Sequence, residues 1–379
     1  MSLEIGAILF FAASGTIPDA APINNPANPS ATYQRWQAGP VRCADGRQVL
    51  GEALIAPVGI VSTVSPPRSA TLEVHFTIDA DGRPISIDYA ENRYRNHLLD
   101  ADVLPSLAAS HFPASGKATA CAVAYQYEVS KPDETPLLEM GRYSALSRSN
   151  RLPKAVWQKI GGGDCMAKGR LYPVTLSYPD LRNFKALPGE SSFSYVRYDV
   201  DEQGLPRNIE VVLSSGDEAI DRETLRAISD SRFRGGERTG CVRAARKSKA
   251  SLPAPEGPHH TPKDSADARC EAPGRWAKRP KLAYPAAYLN RGIEGWALVK
   301  YDVAPWGQTG AVEVIAAQPT GDFGLAAKAL INSASYKPMD SGLSGCIEKI
   351  VYKMKSKDAE PGDGEMDAGP ETLALNERG

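Results

Sequence analysis

The sequence predicts an α+β protein built as three tandem copies of one small unit. Each copy is an antiparallel sheet of about three strands with a packed helix and one disulfide inside the unit. Three observations carry this prediction. The six cysteines, taken in order as pairs, are separated by 121 − 43 = 78, 241 − 165 = 76 and 346 − 270 = 76 residues. A glycine (Gly82, Gly204, Gly307) follows the first cysteine of each pair by 39, 39 and 37 residues, and an aromatic (Phe112, Phe233, Tyr336) follows that glycine by 30, 29 and 29. Lastly, SSFSYVRYDV (191–200) and GIEGWALVKYDV (292–303) both end in a basic residue followed by Tyr-Asp-Val. Their alternate positions are apolar or small, which is the period of a strand with one buried face.

The elements follow in order. Residues 1–15 read as a secretory signal, with the apolar run Ile5 to Ala13 ahead of the small residues Ser14 and Gly15. Glu4 is the only charge before that run, so the usual basic start is missing, and a buried strand or a membrane tether is the other reading. A Pro/Asn-rich lead-in occupies 16–42. The units span 43–130, 165–248 and 270–355, separated by a polar linker at 131–164 and a Pro/Ala-rich spacer at 249–269. Within a unit, a first strand (72–78, 193–200, 296–303) runs into a polar turn ending in the glycine. A second strand follows (85–89, 209–213, 312–316). The helix is clearest in AAKALINSA (326–334), and Leu107, Ile228 and Ile331 each stand five residues before the aromatic. A closing strand starts at the second cysteine. From Asp358 onward the tail holds seven acidic residues against one arginine, and 356–379 is expected to be disordered.

The repeated spacing favours the pairings Cys43–Cys121, Cys165–Cys241 and Cys270–Cys346 among the 15 possible. Closing loops of this length contributes about 4 kcal/mol each in the chain-entropy description. Such bonds persist in oxidising compartments, so an exported protein is expected. Metal binding is not: there is no CxxC, and the nearest cysteines outside a pair's loop, Cys241 and Cys270, are 29 apart.

The 379 residues include 44 basic and 45 acidic ones, a balance that provides no electrostatic case for nucleic acid or an anionic membrane surface. No apolar run reaches the roughly 18–20 residues that cross a bilayer as a helix. Catalysis finds little support. His259 and His260 lie in the spacer, and His75 takes the solvent-facing place of Arg197 and Lys300. HExxH, GxSxG and a phosphate-binding glycine loop are all missing. With every cysteine paired no thiol nucleophile remains. No enzyme, cofactor, metal or small-molecule substrate is expected.

One stretch carries a resemblance. Residues 279–338 hold, in order, Tyr284-Pro285, a short helix, Gly292, Glu294-Gly295, the strand to Val303, Gly307, a second strand, Pro319 and Gly321 before Phe323, an Ala-rich helix and Tyr336-Lys337-Pro338. This ordered set is similar to the C-terminal domain of TonB-family energy transducers. The middle unit keeps Tyr178-Pro179, Arg197 to Val200, Gly204 and Phe233 but lacks the Glu-Gly. The first keeps little beyond Asp81-Gly82 and Phe112, so both resemble degenerate copies. The resemblance implies a periplasmic domain that grips an extended segment of an outer-membrane TonB-dependent receptor by adding it to a sheet edge. It points to Tyr284, Pro285 and the closing strand with Ile347, Lys349, Ile350, Val351, Tyr352 and Lys353. The basic residues Arg275, Lys278, Arg279 and Lys281 ahead of the motif read as a solvated approach segment or as a site for acidic groups. The family's membrane helix and long Pro-rich spacer have no counterpart here, so autonomous energy transduction is not expected. The rival expectation is a structural or assembly module of the envelope that self-associates or bridges proteins through open sheet edges.

Overall fold

The structure is a computed structural model and describes residues 31–354, except 47, 50–53, 65–69, 91–99, 148, 183, 185–186, 235, 248, 260–264 and 272–273. The signal segment, the acidic tail, His97 and His260 lie outside the described residues. The chain is mixed α and β, mostly strand, with antiparallel sheets, six α-helices among the described residues and three disulfides.

Four strands come first: β1 (Thr32–Ala38), β2 (Val41–Cys43), β3 (Gln48–Val49) and β4 (Ile60–Ser62). Then β5 (Thr71–Ile78), β6 (Pro84–Tyr89), α1 (Val103–Ala109) and β7 (Thr119–Ser130) form the first β–β–α–β segment. Helices α2 (Leu137–Leu146) and α3 (Lys154–Gly161) lead to β8 (Pro173–Thr175). The second segment is β9 (Ser192–Val200), β10 (Pro206–Ser214), α4 (Glu218–Ser229), the short β11 (Arg232–Phe233) and β12 (Arg238–Lys247). After a 3-10 turn at Ala268–Glu271 come β13 (Trp276–Lys278) and α5 (Ala286–Arg291). The third segment is β14 (Gly295–Val303), β15 (Thr309–Gln318), α6 (Gly321–Asn332), β16 (Ser335–Tyr336) and β17 (Leu343–Tyr352).

In each segment the hairpin's first strand lies centrally, between the second strand and the closing strand: β6-β5-β7, β10-β9-β12 and β15-β14-β17. The disulfides join the pairs that the spacing predicts. Helix α4 illustrates the local logic. Asp217 caps it by accepting from the Ala219 and Ile220 amides, and acidic residues fill its first turn and Arg226 its last. Its buried Ile220, Thr224, Ala227 and Ile228 form one stripe at helical spacing.

The sequence landmarks touch one another. The amides of Phe112, Phe233 and Tyr336 donate to the carbonyls of Gly82, Gly204 and Gly307 at 2.8, 3.0 and 2.8 Å. Those glycines have φ of 90°, 78° and 93°, and a Cβ on any of them would sit 2.0 to 2.1 Å from the aromatic's carbonyl oxygen. Only glycine fits both demands. The aromatic rings then pack on Phe76, Tyr198 and Tyr301 of the central strands, with centroids 5.7, 5.4 and 6.4 Å apart. Four residues past each glycine, Ser86, Asn208 and Ala311 all take a positive φ, close to 50°, at an irregularity in the second strand.

The repeated Tyr-Asp-Val has a structural reason too. The Asp199 and Asp302 carboxylates each accept, at 2.8 Å, the amide of the glycine before the closing cysteine, Gly240 or Gly345. The basic residue ahead of Tyr faces an acid across the hairpin: Arg197 pairs with Glu210 at 2.6 Å, and Lys300 stands opposite Glu313.

Two expectations need correction. The first sheet is not three-stranded but seven-stranded, because β1 and β2 add along the far side of β7, with β4 and β3 outside them. Residues 131–164 are not a plain linker. Met140 and Tyr143 of α2, with Val156 and Ile160 of α3, make a core with Tyr33, Phe193 and Tyr195 on the other face of β9. The two helices are only 10 and 8 residues long, too few turns for their apolar spacing to stand out in the sequence.

The segments are joined tightly. A single hydrophobic cluster runs from Trp36 and Val74 of the first through Phe323 and Tyr352 of the third. At the junction Arg291, 2% exposed, forms a two-pronged ion pair with Asp102, donates to the Gly189 carbonyl at 3.1 Å and to that of Ala56 at 3.2 Å. The Val58 amide also donates to Asp102, at 2.6 Å. One side chain of α5 therefore holds the first segment and the loop entering the second.

Removing one partner of a buried pair strands the other charge. Arg291→Ala is expected to lower stability by about 3–5 kcal/mol, read as a fall in the urea midpoint. Lys249 lies next to Arg291, and burial, with repulsion from Arg291 and Arg246, lowers its pKa to about 8. Between that value and the ordinary lysine range the unfolded chain holds a proton that the folded chain has shed, so this group adds stability as pH rises. Lys249→Met is expected to melt above the parent at pH 7, with the gap closing toward pH 10 in thermal unfolding.

Candidate functional site

The candidate residues divide between two faces of β17. Ile350 and Tyr352 are buried, as is Tyr284, whose hydroxyl donates to the Ile293 carbonyl at 2.6 Å. Tyr284 meets Tyr352 edge-on, centroids 5.6 Å apart, and both touch Phe323 of α6. Burial pushes the pKa of both tyrosines above the ordinary range. These three side chains support the strand from beneath and are not presented to a partner. Pro285 is the N-cap of α5. Ile347, Lys349 and Val351 are half-buried on the opposite face, and Lys353, just past the strand end, is exposed.

The direction of the backbone groups is decided by neighbouring bonds. Ser265 Oγ accepts from the Ile347 amide at 3.0 Å and donates to its carbonyl at 3.4 Å, and Ala266 donates to the Gly345 carbonyl at 3.1 Å. Ile347 therefore points its peptide groups away from β14. Alternation along a strand makes Lys349 and Val351 outward as well, and Ile350 and Tyr352 inward. Among the described residues no backbone partner meets the amides of Lys349, Val351 and Lys353.

The described parts of the spacer, 249–259 and 265–269, lie against this segment. Leu252 donates to the Gly292 carbonyl at 2.8 Å and accepts from the Glu294 amide at 2.9 Å. Trp296 donates to the Pro255 carbonyl at 2.9 Å, and the Lys349 ammonium, 5.4 Å from the Trp296 ring centre, donates to Pro258 at 2.8 Å. The basic approach cluster is likewise partly absorbed into structure. Arg275 pairs with Glu348 at 2.9 Å and stacks on Trp276, whereas Lys278 and Lys281 are exposed.

The same edge on β7 is already filled. Gly39 donates to the Ala124 carbonyl at 2.8 Å and Ala44 to the Ala120 carbonyl at 2.9 Å, while β1 continues the ladder from Ala38↔Tyr125 to Tyr33↔Ser130. The ladders align the three closing strands: Ala122 opposes His75, Val242 opposes Arg197, and Ile347 opposes Lys300. Lys349 is thus the counterpart of Ala124. This added strand has no clear mark in the sequence, because Tyr33 and Trp36 stand three apart and lack the alternation of a half-buried strand.

Of the histidines described, His75 is exposed beside Glu73 at 3.3 Å, and His111 and His259 are exposed. Among the described residues no cluster of three His, Cys, Asp or Glu could hold a metal, and no helix is long and apolar enough to cross a membrane. No family model matches the chain, and no curated protein matches it.

Proline lacks an amide proton, so its cost depends on which way the replaced amide points. Ile350→Pro is expected to break a β14–β17 bond and lower stability by about 3 kcal/mol or more. Val351→Pro is expected to cost much less, and paired denaturant curves distinguish the two.

Proposed function

We propose that the chain is a non-enzymatic, exported envelope protein whose residues 270–355 act as a TonB C-terminal-like domain. On this reading the domain takes an extended segment of a TonB-dependent outer-membrane receptor, or of a related envelope protein, as an added strand on the outer edge of β17. Its link to transmembrane transport is through that receptor. The first two β–β–α–β segments are then degenerate copies of the same unit.

One observation supports this more than any other. The equivalent edge of β7 carries an added strand from the chain itself, whereas the edge at Lys349, Val351 and Lys353 has no backbone partner among the described residues. An edge of this kind supplies affinity through main-chain bonds, and the half-buried Val351 beside it supplies selectivity. Three disulfides suit an oxidising compartment, which the periplasm is. The same edge also suits a second copy of the chain, and that is the rival reading.

The test uses the full exported protein and a synthetic peptide from the extended segment of a receptor that it retains from envelope extract. Val351→Pro is expected to abolish peptide binding while circular dichroism stays unchanged. Lys349→Ala should weaken it by less than about 1 kcal/mol, because its ammonium is already engaged by Pro258 and Trp296 at the surface. A folded Val351→Pro variant that binds as well as the parent refutes the site. Retention of the chain's own copies alone, with concentration-dependent sedimentation, supports the rival reading instead.

A further inference from the structure

We propose that the outer edge of β12 is a second strand-docking site, and that it takes an extended peptide in which acidic residues alternate with apolar ones. This goes beyond the β17 reading and does not rest on it.

The edge itself is the first argument. Val242, Ala244 and Arg246 are the counterparts of Ala122, Ala124 and Gln126, the outward positions of β7 that lie against β1 and β2. Chain from the α3 end screens β12 only at its start, where the Cys165 amide donates to the Thr239 carbonyl at 3.0 Å. Beyond Gly240 no backbone partner lies on this edge among the described residues, and Ala244 and Arg246 are exposed.

The flanks are the second argument. A cleft of about 360 Å³ borders the edge on one side, lined by Met166, Leu171, Tyr198 and Phe233. Another of about 510 Å³ borders it on the other, lined by Leu152, Trp157, Phe193 and Tyr195. Successive side chains of an added strand point to opposite faces, so they would enter the two clefts in turn. Met166, in the smaller cleft, is 51% exposed and Tyr178, beneath Arg243 of β12, is 68% exposed, so apolar surface is left uncovered at this edge.

Charge selects the occupant. In the first segment the added strand places Arg35 directly opposite Glu128 of β7, 2.8 Å away, so guest and host are complementary. At β12 the host side is basic. Arg243 of β12 lines the smaller cleft and stacks over Tyr178, and Arg151 lines the larger cleft. Neither has a carboxylate partner among the described residues. On the opposite side of the same sheet Arg197 and Arg207 are paired with Glu210 and Asp201. A guest carrying carboxylates fits the β12 edge, and a basic one is repelled.

The test uses the full exported chain and a fluorescein-labelled decapeptide of alternating Glu and Val, with the Lys/Val peptide as its control. Saturable anisotropy is expected for the acidic peptide alone, weakening at high salt. Arg151→Glu combined with Arg243→Glu should reduce affinity at least about tenfold. Ala244→Pro should abolish binding, and Val351→Pro should leave it intact. Amide exchange should slow at Val242, Ala244 and Arg246 when peptide is added. If Ala244→Pro fails to fold, the exchange map of the parent and the arginine variants decide. Absence of saturable binding overturns the proposal. So does equal affinity in the arginine variants, exchange protection lying elsewhere, or loss of binding on Val351→Pro with Ala244→Pro unaffected.

Discussion

The contact between a left-handed glycine and an aromatic amide places every closing strand in this protein. At Gly82, Gly204 and Gly307 the turn of the hairpin reaches the end of the following helix, and the aromatic amide bonds back to the glycine carbonyl. A side chain on that glycine would collide with the aromatic's carbonyl, so the contact tolerates nothing larger. Once it forms, the aromatic ring lies on the central strand and the helix is clamped across the sheet. The chain then leaves the helix beside the only vacant edge of the central strand. The cysteine pairs, Asp199 and Asp302 act after this point, holding the closing strand whose start the contact has already aimed.

Arg291 converts three such segments into one body. A buried guanidinium is costly unless fully partnered, and here a carboxylate and two carbonyls surround it. Its partners come from chain positions far apart, so the junction forms only when the segments are assembled. The loop at Gly189 makes the fit possible: its φ of 73° and lack of a side chain let it lie against Ala109 of α1. The continuous cluster linking the first and third segments then buries Tyr284 and Tyr352, and through them fixes the position of β17.

The three closing strands share a geometry and differ in what lies along their outer edges. Among the described residues, β7 has β1 and β2, β17 has Ser265 and Ala266 at its start, and β12 has only the α3 end at Thr239. An edge amide left to water is cheap to keep and ready to pair, which is why the proposed docking falls on the later two strands. Their surroundings separate them. Trp296 and the docked parts of the spacer border β17, whereas apolar clefts border β12 with Arg151 and Arg243, which have no carboxylate partner among the described residues. Two edges with different surroundings suit different guests.

Much of the fold was legible because its signals are local and repeated. Strand alternation, the glycine, the aromatic and the cysteine spacing are written in residue types whose roles depend on near neighbours, and all three disulfides follow from them. Other features left no such mark. The helices within 131–164 are short, and their apolar residues gain meaning only against Phe193 and Tyr195. Tyr284 looks like a binding residue in the sequence and proves to be core, since burial depends on α6 and β17 arriving from later in the chain. By itself the sequence determined the repeated strand–strand–helix–strand order and its covalent pairing. Tertiary structure alone decided which sheet edges are filled. The backbone groups of an edge are the same for every residue type, so their pairing depends on which distant segment packs beside them.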